Sequence, residues 1–315
     1  MPRLTTEDLN HVLDHTRDLW NEVRGKRIFI TGGTGFFGTW LLETFAYAND
    51  QLGLNASTLV LTRNLDAFKE KAPHLANYPA IAFHAGDIRT FDYPAGEFPF
   101  VIHGVSNSEM KGTKRILNFA RGAGTKKILY ISSGSVYAKY PVSADALAKR
   151  ASELLFTQYT GISNIQAKIA RCFAFVGPYL PLDANFAIGN FIRDGLAGGP
   201  ICVSGDGTPY RSYFYAADMA IWLWTILFHG ESCRPYNVGS EIGLTIKDLA
   251  HTVARAFQPP VEVRIAQRPT FDKPAERYVP STQRTREELG LEQTIDLAEA
   301  IKRTIRWYSP GGKSP

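Results

Sequence analysis

Three glycines at intervals of three, Gly32, Gly35 and Gly38, follow the apolar run Ile28-Phe29-Ile30 and open a helix-forming stretch that begins Phe36-Phe37. The pattern suits one chemical task, holding a pyrophosphate. A short buried strand delivers the chain to a tight turn at Gly32; Gly35 lets the backbone approach the phosphates, and Gly38 lets the new helix lie on the strand. The helix start offers N–H groups to the negative charge. Gly32, Gly35, Phe36, Phe37 and Gly38 are therefore expected to line a dinucleotide. An ordinary strand-to-helix turn could carry the same triplet, but here the flanking strand, the helix and the features downstream all agree with the binding role.

The exit of the next strand, Thr58-Leu-Val-Leu-Thr-Arg-Asn64, selects the cofactor. A carboxylate at this place accepts hydrogen bonds from the adenosine ribose and favours NAD, whereas an arginine can hold a 2′-phosphate and favours NADP. The chain has Thr62, Arg63 and Asn64, with no acid before Asp66. NADP is expected over NAD, with a solvated surface arginine as the alternative reading of Arg63. Asp87 and Ile88 close a third strand, Ile81 to Ile88, and could flank an adenine.

These residues need elements to position them. Further strand-like runs occur at Phe100 to Gly104, Lys127 to Ser133 and Asn164 to Val176, separated by helical stretches and turn glycines. Strands alternating with helices give an α/β fold, a doubly wound parallel sheet of Rossmann type. Ahead of it, about Thr6 to Val23 reads as one amphipathic helix capped by Thr5 or Thr6, with Leu9, Val12, Leu13, Trp20 and Val23 on its apolar face. That face is expected to pack on its own domain, an oligomer interface being the alternative.

Composition removes other classes. The chain has 315 residues, 44% of them hydrophobic, and a net charge of +5 from 35 basic and 30 acidic residues with no run of like charge. A nucleic-acid patch is not indicated. Cys172, Cys202 and Cys233 are far apart and odd in number, which fits buried thiols in a reducing compartment rather than a disulfide framework or a metal site. Met219 to Phe228, the longest apolar stretch, is too short to span a bilayer. A cytoplasmic protein is expected, with neither metal nor membrane partner.

Read together, Thr31-Gly-Gly-Thr-Gly-Phe-Phe-Gly38, Gly86-Asp-Ile88, Val101-Ile-His103, Ser132-Ser-Gly-Ser-Val-Tyr137, Ala148-Lys-Arg-Ala-Ser-Glu153, Arg171-Cys-Phe and Gly177-Pro178 resemble the extended short-chain dehydrogenase/reductase family, in its nucleotide-sugar epimerase/dehydratase branch. The likeness continues through Gly205-Asp-Gly207, Arg211, Asp218, Tyr236-Asn-Val-Gly239 and Leu289-Gly-Leu…Trp307-Tyr308. After the helical extension over 1–25, it implies a dinucleotide-binding domain over 26–178 and a smaller part over 179–315 that grips a nucleoside-diphosphate sugar, with a return to the sheet. A homodimer is the expected assembly.

The resemblance also implies a chemistry. A sugar alcohol gives hydride to the nicotinamide and its hydroxyl proton to a tyrosinate, whose pKa must fall from ~10 toward neutrality. A lysine one helical turn later favours the phenolate and holds the nicotinamide ribose, and a strand-end hydroxyl orients the substrate. By resemblance these are Lys149 and Ser133. The tyrosine is where the chain departs: four residues before Lys149 stands Asp145. The stretches from His103 to Gly112-Thr113 and from Val136 to Lys149 are both shorter than in the family. Either this is a non-catalytic, cofactor-binding relative, or two loops are absent from the 315 residues, near Glu109/Met110 and Asp145/Ala146. The second reading is favoured because Ala146-Leu-Ala-Lys149 fits the remainder of a Tyr-x-x-x-Lys. Tyr137 and Tyr140 are the nearby stand-ins, Tyr137 standing where the family has a structural tyrosine.

Sugar 4,6-dehydratases of this family place an acidic pair after the strand-end hydroxyl; here those positions are Gly134 and Ser135. The expected reaction is therefore C4 epimerisation or 4-keto reduction, with dehydration or decarboxylation as alternatives. Asn185 and the helical run to Gly198 resemble the segment over which the nucleoside diphosphate lies, and Arg211 and Arg277 resemble the arginines that pair with its pyrophosphate. Ala174 stands where many relatives have asparagine.

Overall fold

The computed structural model describes residues 1–105, 110–138, 143–269 and 274–309. It divides into two compact units, one of Met1–Cys172, Ala220–Val238 and Arg284–Leu291, the other of Phe173–Met219, Gly239–Gln283 and Glu292–Pro315.

The first unit begins with α1 (Thr6–Thr16), capped by the Thr5 side chain, which accepts from the Asp8 N–H at 3.2 Å. The helix expected to reach Val23 does not continue as α. From Arg17 to Val23 it tightens into a 3-10 helix, and Trp20 donates back to the Thr16 hydroxyl at 3.0 Å. The tighter turn carries Leu19, Trp20 and Val23 inward. Trp20 lies 4.7 Å from the Trp224 ring and 6.5 Å from Phe45, so the extension covers its own unit.

The sheet contains β1 (Arg27–Thr31), β2 (Ser57–Thr62), β3 (Ile81–Ala85), β4 (Phe100–His103), β5 (Lys127–Ser133), β6 (Gln166–Cys172) and a seventh strand, Pro235–Val238. Their spatial order is seventh strand, β6, β5, β4, β1, β2, β3, and every pairing is parallel. The chain order reverses between β1 and β4, which opens a crevice at the carboxyl ends of these strands. Between the strands lie α2 (Phe36–Leu52), α3 (Leu65–Lys71), α4 (Pro73–Ala76), α5 (Met110–Gly122) and α6 (Ala144–Gly161). Ile28, Phe29 and Ile30 are fully buried, as a central parallel strand requires. The Phe29 ring is 4.6 Å from Phe119, 5.6 Å from Phe98 and 5.8 Å from Phe91, the centre of the core beneath α5.

Two boundaries differ from the sequence reading. The third strand ends at Ala85, so Asp87 and Ile88 stand in the turn beyond it; the run Asn164 to Val176 splits into β6 and a separate two-residue strand, β7 (Phe175–Val176). In the second unit β7 pairs with Phe214–Tyr215, Ile201–Val203 pairs with Val263–Ile265, and Leu244–Thr245, Tyr210–Arg211 and Arg277–Tyr278 form a three-stranded sheet. Helices α7 (Ala187–Leu196), Ile246–Ala254 and Leu297–Tyr308 complete that unit. Of the three cysteines only Cys172 is buried; Cys202 is exposed and Cys233 half-exposed, which corrects the expectation of three core thiols. Among the described residues no helix is long and apolar enough to cross a membrane.

Candidate functional site

The glycine turn is built as its spacing requires. Gly32 takes φ +76°, and a Cβ there would lie 2.4 Å from the Gly104 carbonyl oxygen, so the turn at the end of β1 passes directly under the end of β4. A Cβ on Gly38 would lie 2.3 Å from the Gly33 Cα, which leaves no side chain between α2 and the turn. Gly35 is different: the sole contact for a Cβ is its own turn, at 3.3 Å. Its outer side is open. Gly35 also caps the 17-residue α2 without a side-chain hydrogen bond, so the first turn of Phe36, Phe37 and Gly38 presents backbone to that opening. An open face at Gly35 over an uncapped helix start is the cradle that a pyrophosphate fits.

Arg63 is exposed at the end of β2. It lines a cleft of about 220 Å³ with Thr34 of the glycine turn, Thr62, Asn64, Phe68 and Lys71 of α3. Lys71 belongs to none of the motifs read from the sequence. In the fold its ammonium donates to the Thr34 carbonyl at 3.1 Å and to the Thr39 hydroxyl at 3.0 Å. Burial holds its pKa down to about 8. Asp87 is tied to Arg89, which donates to both carboxylate oxygens at 2.8 and 3.1 Å and keeps the acid near pKa 2. Ile88 lies against Gly112 of α5, partly buried at the edge of the core.

Ser133 ends β5 and accepts from the Ser135 N–H at 3.1 Å, capping the 3-10 turn Gly134–Tyr137. Lys149 of α6 is buried, and its ammonium donates to the carbonyls of Val105 at 3.2 Å and Ile131 at 3.4 Å. Ile131 is two residues before Ser133, so the fold brings the lysine to the same strand end. Desolvation lowers the Lys149 pKa, and the Asp145 carboxylate opposes that shift. Lys149 in turn adds to the burial that depresses His103 of β4 to about pKa 3. His103 Nδ1 pairs with the Thr31 hydroxyl at 2.7 Å, stitching β4 to β1 beside the glycine turn.

The position of the expected tyrosine is occupied by a continuous helix. Ser143 caps α6 by accepting from the Ala146 N–H at 3.2 Å, and the Leu147 N–H donates to the Ser143 carbonyl at 3.1 Å, so the backbone runs unbroken through Asp145 and Ala146. Glu109, at the other suspected join, and Tyr140 lie outside the described residues. Tyr137 is half-exposed, donates to Asn237 at 3.0 Å and accepts from Arg171 at 2.7 Å. The same Arg171 binds Glu153 of α6 at 2.6 Å, and Glu153 accepts from Ser132 at 2.6 Å. This chain of contacts fixes the turn carrying Ser133 against α6 and β6. The sequence displayed Glu153 and Arg171 within motifs but gave no sign of their pairing.

In the second unit Asn185 is exposed, two residues before α7. Arg211 pairs with Glu276 at 3.1 Å and lies 5.9 Å from the Tyr278 ring, while Arg277 lies 5.4 Å from the Tyr210 ring. The register pairs Arg277 with Tyr210 and Tyr278 with Arg211. Because side chains alternate across a strand, the two arginines leave opposite faces of this small sheet. The expectation that both reach one pyrophosphate is not what the ladder offers; Arg211 shares its face with Tyr278, which packs 4.8 Å from Phe173.

A family model described as NAD dependent epimerase/dehydratase matches the part of the chain that runs from the end of β4 through the lysine helix to the seventh strand. The match covers residues 103–239. The resemblance to extended short-chain dehydrogenases/reductases is thereby borne out. UDP-glucuronic acid decarboxylase 6 of Arabidopsis thaliana is 27% identical over 302 aligned positions covering 87% of this chain and 86% of that protein. The dTDP-glucose 4,6-dehydratase of Streptomyces antibioticus is 23% identical, covering 89% of this chain and 92% of its own. The enzyme WbmF of Bordetella bronchiseptica, solved in complex with NADH, shares the fold with a TM-score of 0.76 at 20% identity, over 91% of this chain and 92% of that one. The matched family model is described as one of NAD-dependent epimerases and dehydratases, and the two relatives are named for reactions on UDP- and dTDP-linked sugars.

Proposed function

We propose that this protein binds NADP(H) in preference to NAD(H) and uses it to oxidise and re-reduce a ring carbon of a nucleoside-diphosphate sugar. The observation that carries the reading is the convergence, in one unit, of the open glycine cradle, Ser133 and the buried Lys149 at neighbouring strand ends. Gly32, Gly35 and the first turn of α2 would hold the pyrophosphate, Arg63 the adenosine end, with Asp87 and Ile88 beside it. When bound, the nicotinamide supplies the site that accepts and returns hydride. Ser133 Oγ would orient the sugar hydroxyl. Lys149 would hold positive charge beside the proton acceptor and reach the nicotinamide ribose. Arg211, with Tyr278 on the same face, is the better candidate for the substrate pyrophosphate than Arg277; Asn185 would contact the nucleotide.

Gly134 and Ser135 offer no carboxyl to remove water from the sugar, which favours C4 epimerisation or 4-keto reduction over 4,6-dehydration. Decarboxylation is the second reading, favoured by the relatives that act on UDP-glucuronic acid. Oxidation of a uronic acid at C4 gives a β-keto acid, which loses carbon dioxide without an acid–base pair of that kind. The proton acceptor is the incomplete part. With Asp145 one turn before Lys149, we infer that the tyrosine belongs to a segment these 315 residues lack. The Arabidopsis alignment supports this: it is 302 positions long although only 87% of the chain enters it, so that relative carries segments without a counterpart here.

The test is incubation of the verified full-length chain and NADP with UDP- and dTDP-linked glucose, galactose and glucuronic acid, read by mass and NMR. Isomerisation or ketone reduction without mass loss supports the first reading. Loss of carbon dioxide selects the second, and loss of water revives dehydration. Retained cofactor binding with no conversion of any sugar would mean a regulatory, cofactor-sensing protein. Light scattering tests the homodimer we propose, and fractionation the cytoplasmic location.

A further inference from the structure

We propose that Lys71, acting with Arg63, is the residue that recognises a phosphomonoester on the adenosine ribose of the cofactor. The proposal deepens the NADP reading above and rests on it. Arg63 leaves the end of β2, and α3 begins two residues later; seven residues of helix are two turns, ~10 Å of rise. That length returns the last side chain of α3 to the glycine turn, where the Lys71 ammonium meets the Thr34 carbonyl and the Thr39 hydroxyl. Arg63 and Lys71 thus line one cleft of about 220 Å³, together with two threonines and an asparagine. Among the described residues that line it, none is acidic. A ribose with free 2′- and 3′-hydroxyls asks for an acceptor here and finds cations; a phosphate dianion finds two cations and the hydroxyls of Thr34 and Thr62. Asn64 does not supply the acceptor, because its oxygen caps α3 by accepting from the Ala67 N–H at 3.0 Å.

The two cations have different work. Arg63 is exposed, whereas Lys71 is half-buried and held by its hydrogen bonds to the Thr34 carbonyl and the Thr39 hydroxyl. Burial has lowered its proton affinity, and a dianion beside it favours its charged form. Lys71 therefore contributes to the 2′-phosphate and little to the rest of the nucleotide.

Calorimetry at pH 7 with adenosine 2′,5′-bisphosphate and with 5′-AMP isolates this group, since the two ligands differ by the 2′-phosphate alone. The wild-type chain is expected to prefer the bisphosphate. Lys71→Gln should reduce that preference about tenfold, the worth of one charge-assisted hydrogen bond, and leave 5′-AMP unchanged. Lys71→Arg, which keeps the charge, should restore most of it, and added salt should erode the wild-type preference. A Lys71→Gln chain that keeps the full preference, while Arg63→Ala loses it, overturns the role of Lys71 and leaves the NADP reading standing. Equal losses for both ligands in Lys71→Gln would also overturn it, because Lys71 would then only brace the glycine turn. Wild-type affinities that are equal for the two ligands overturn the NADP reading itself.

Discussion

At the scale of single residues, His103 carries the most consequential chemistry not expressed in the sequence. It is fully buried, pairs through Nδ1 with Thr31, and stacks 5.6 Å from the Tyr130 ring, while its Nε2 has no hydrogen-bond partner among the described residues. Burial holds the ring neutral down to about pH 3, whereas an unfolded histidine takes up its proton near pH 6.5. Between those values the unfolded chain binds more protons, so stability is intact above about 6.5 and is lost as the pH falls toward 3, by up to ~1.4 kcal/mol per pH unit. Urea unfolding of the wild type and of His103→Gln at pH 7, 6 and 5 checks this. The variant should be less stable at pH 7, and the gap should narrow on acidification; parallel curves would remove His103 from the acid limb.

At the scale of elements, the glycine turn separates folding from binding. A methyl on Gly38 meets backbone at 2.3 Å and forces α2 off β1, at a cost of about 1–3 kcal/mol or more. A methyl on Gly35 meets nothing closer than 3.3 Å and projects into the space proposed for the pyrophosphate. Gly38→Ala should therefore lower both the melting temperature and cofactor affinity, whereas Gly35→Ala should melt near the wild type and lose about tenfold or more in NADP(H) fluorescence titration. If Gly35→Ala binds normally, the cofactor does not cross this turn as proposed. The N-terminal extension shows the limit of periodicity at this scale. Its apolar positions were legible, but Trp20 settling beside Trp224 changes the winding after Thr16, and the residue it meets is 204 positions away in sequence.

At the scale of the whole molecule, the question is whether the 315 residues contain the proton acceptor. Helix α6 closes over Asp145 and Ala146 with ordinary hydrogen bonds and a proper cap, so the local backbone satisfies itself without the missing tyrosine. The polypeptide made by its native gene is nevertheless expected to be heavier than 35.0 kDa, with the extra mass in peptides spanning His103 to Lys114 and Val136 to Lys149. Intact-mass measurement and peptide mapping decide this. A mass of 35.0 kDa would leave Asp145 in the tyrosine's place, and oxidation through a tyrosinate would then be abandoned.

The sequence alone determined the Rossmann order, the glycine turn, the strand-end Ser133 and the helical Lys149, because each is written in local terms: apolar runs, glycine spacing and a one-turn interval. It named the family from motif order for the same reason. What only the tertiary structure decided is which distant groups meet. Lys71 joins Arg63 because α3 is two turns long, Glu153 and Arg171 lock the Ser133 turn from different elements, and strand alternation sends Arg211 and Arg277 to opposite faces. Composition and spacing carry no information about such pairs, since their energy comes from burial and geometry between elements that the chain connects only at long range.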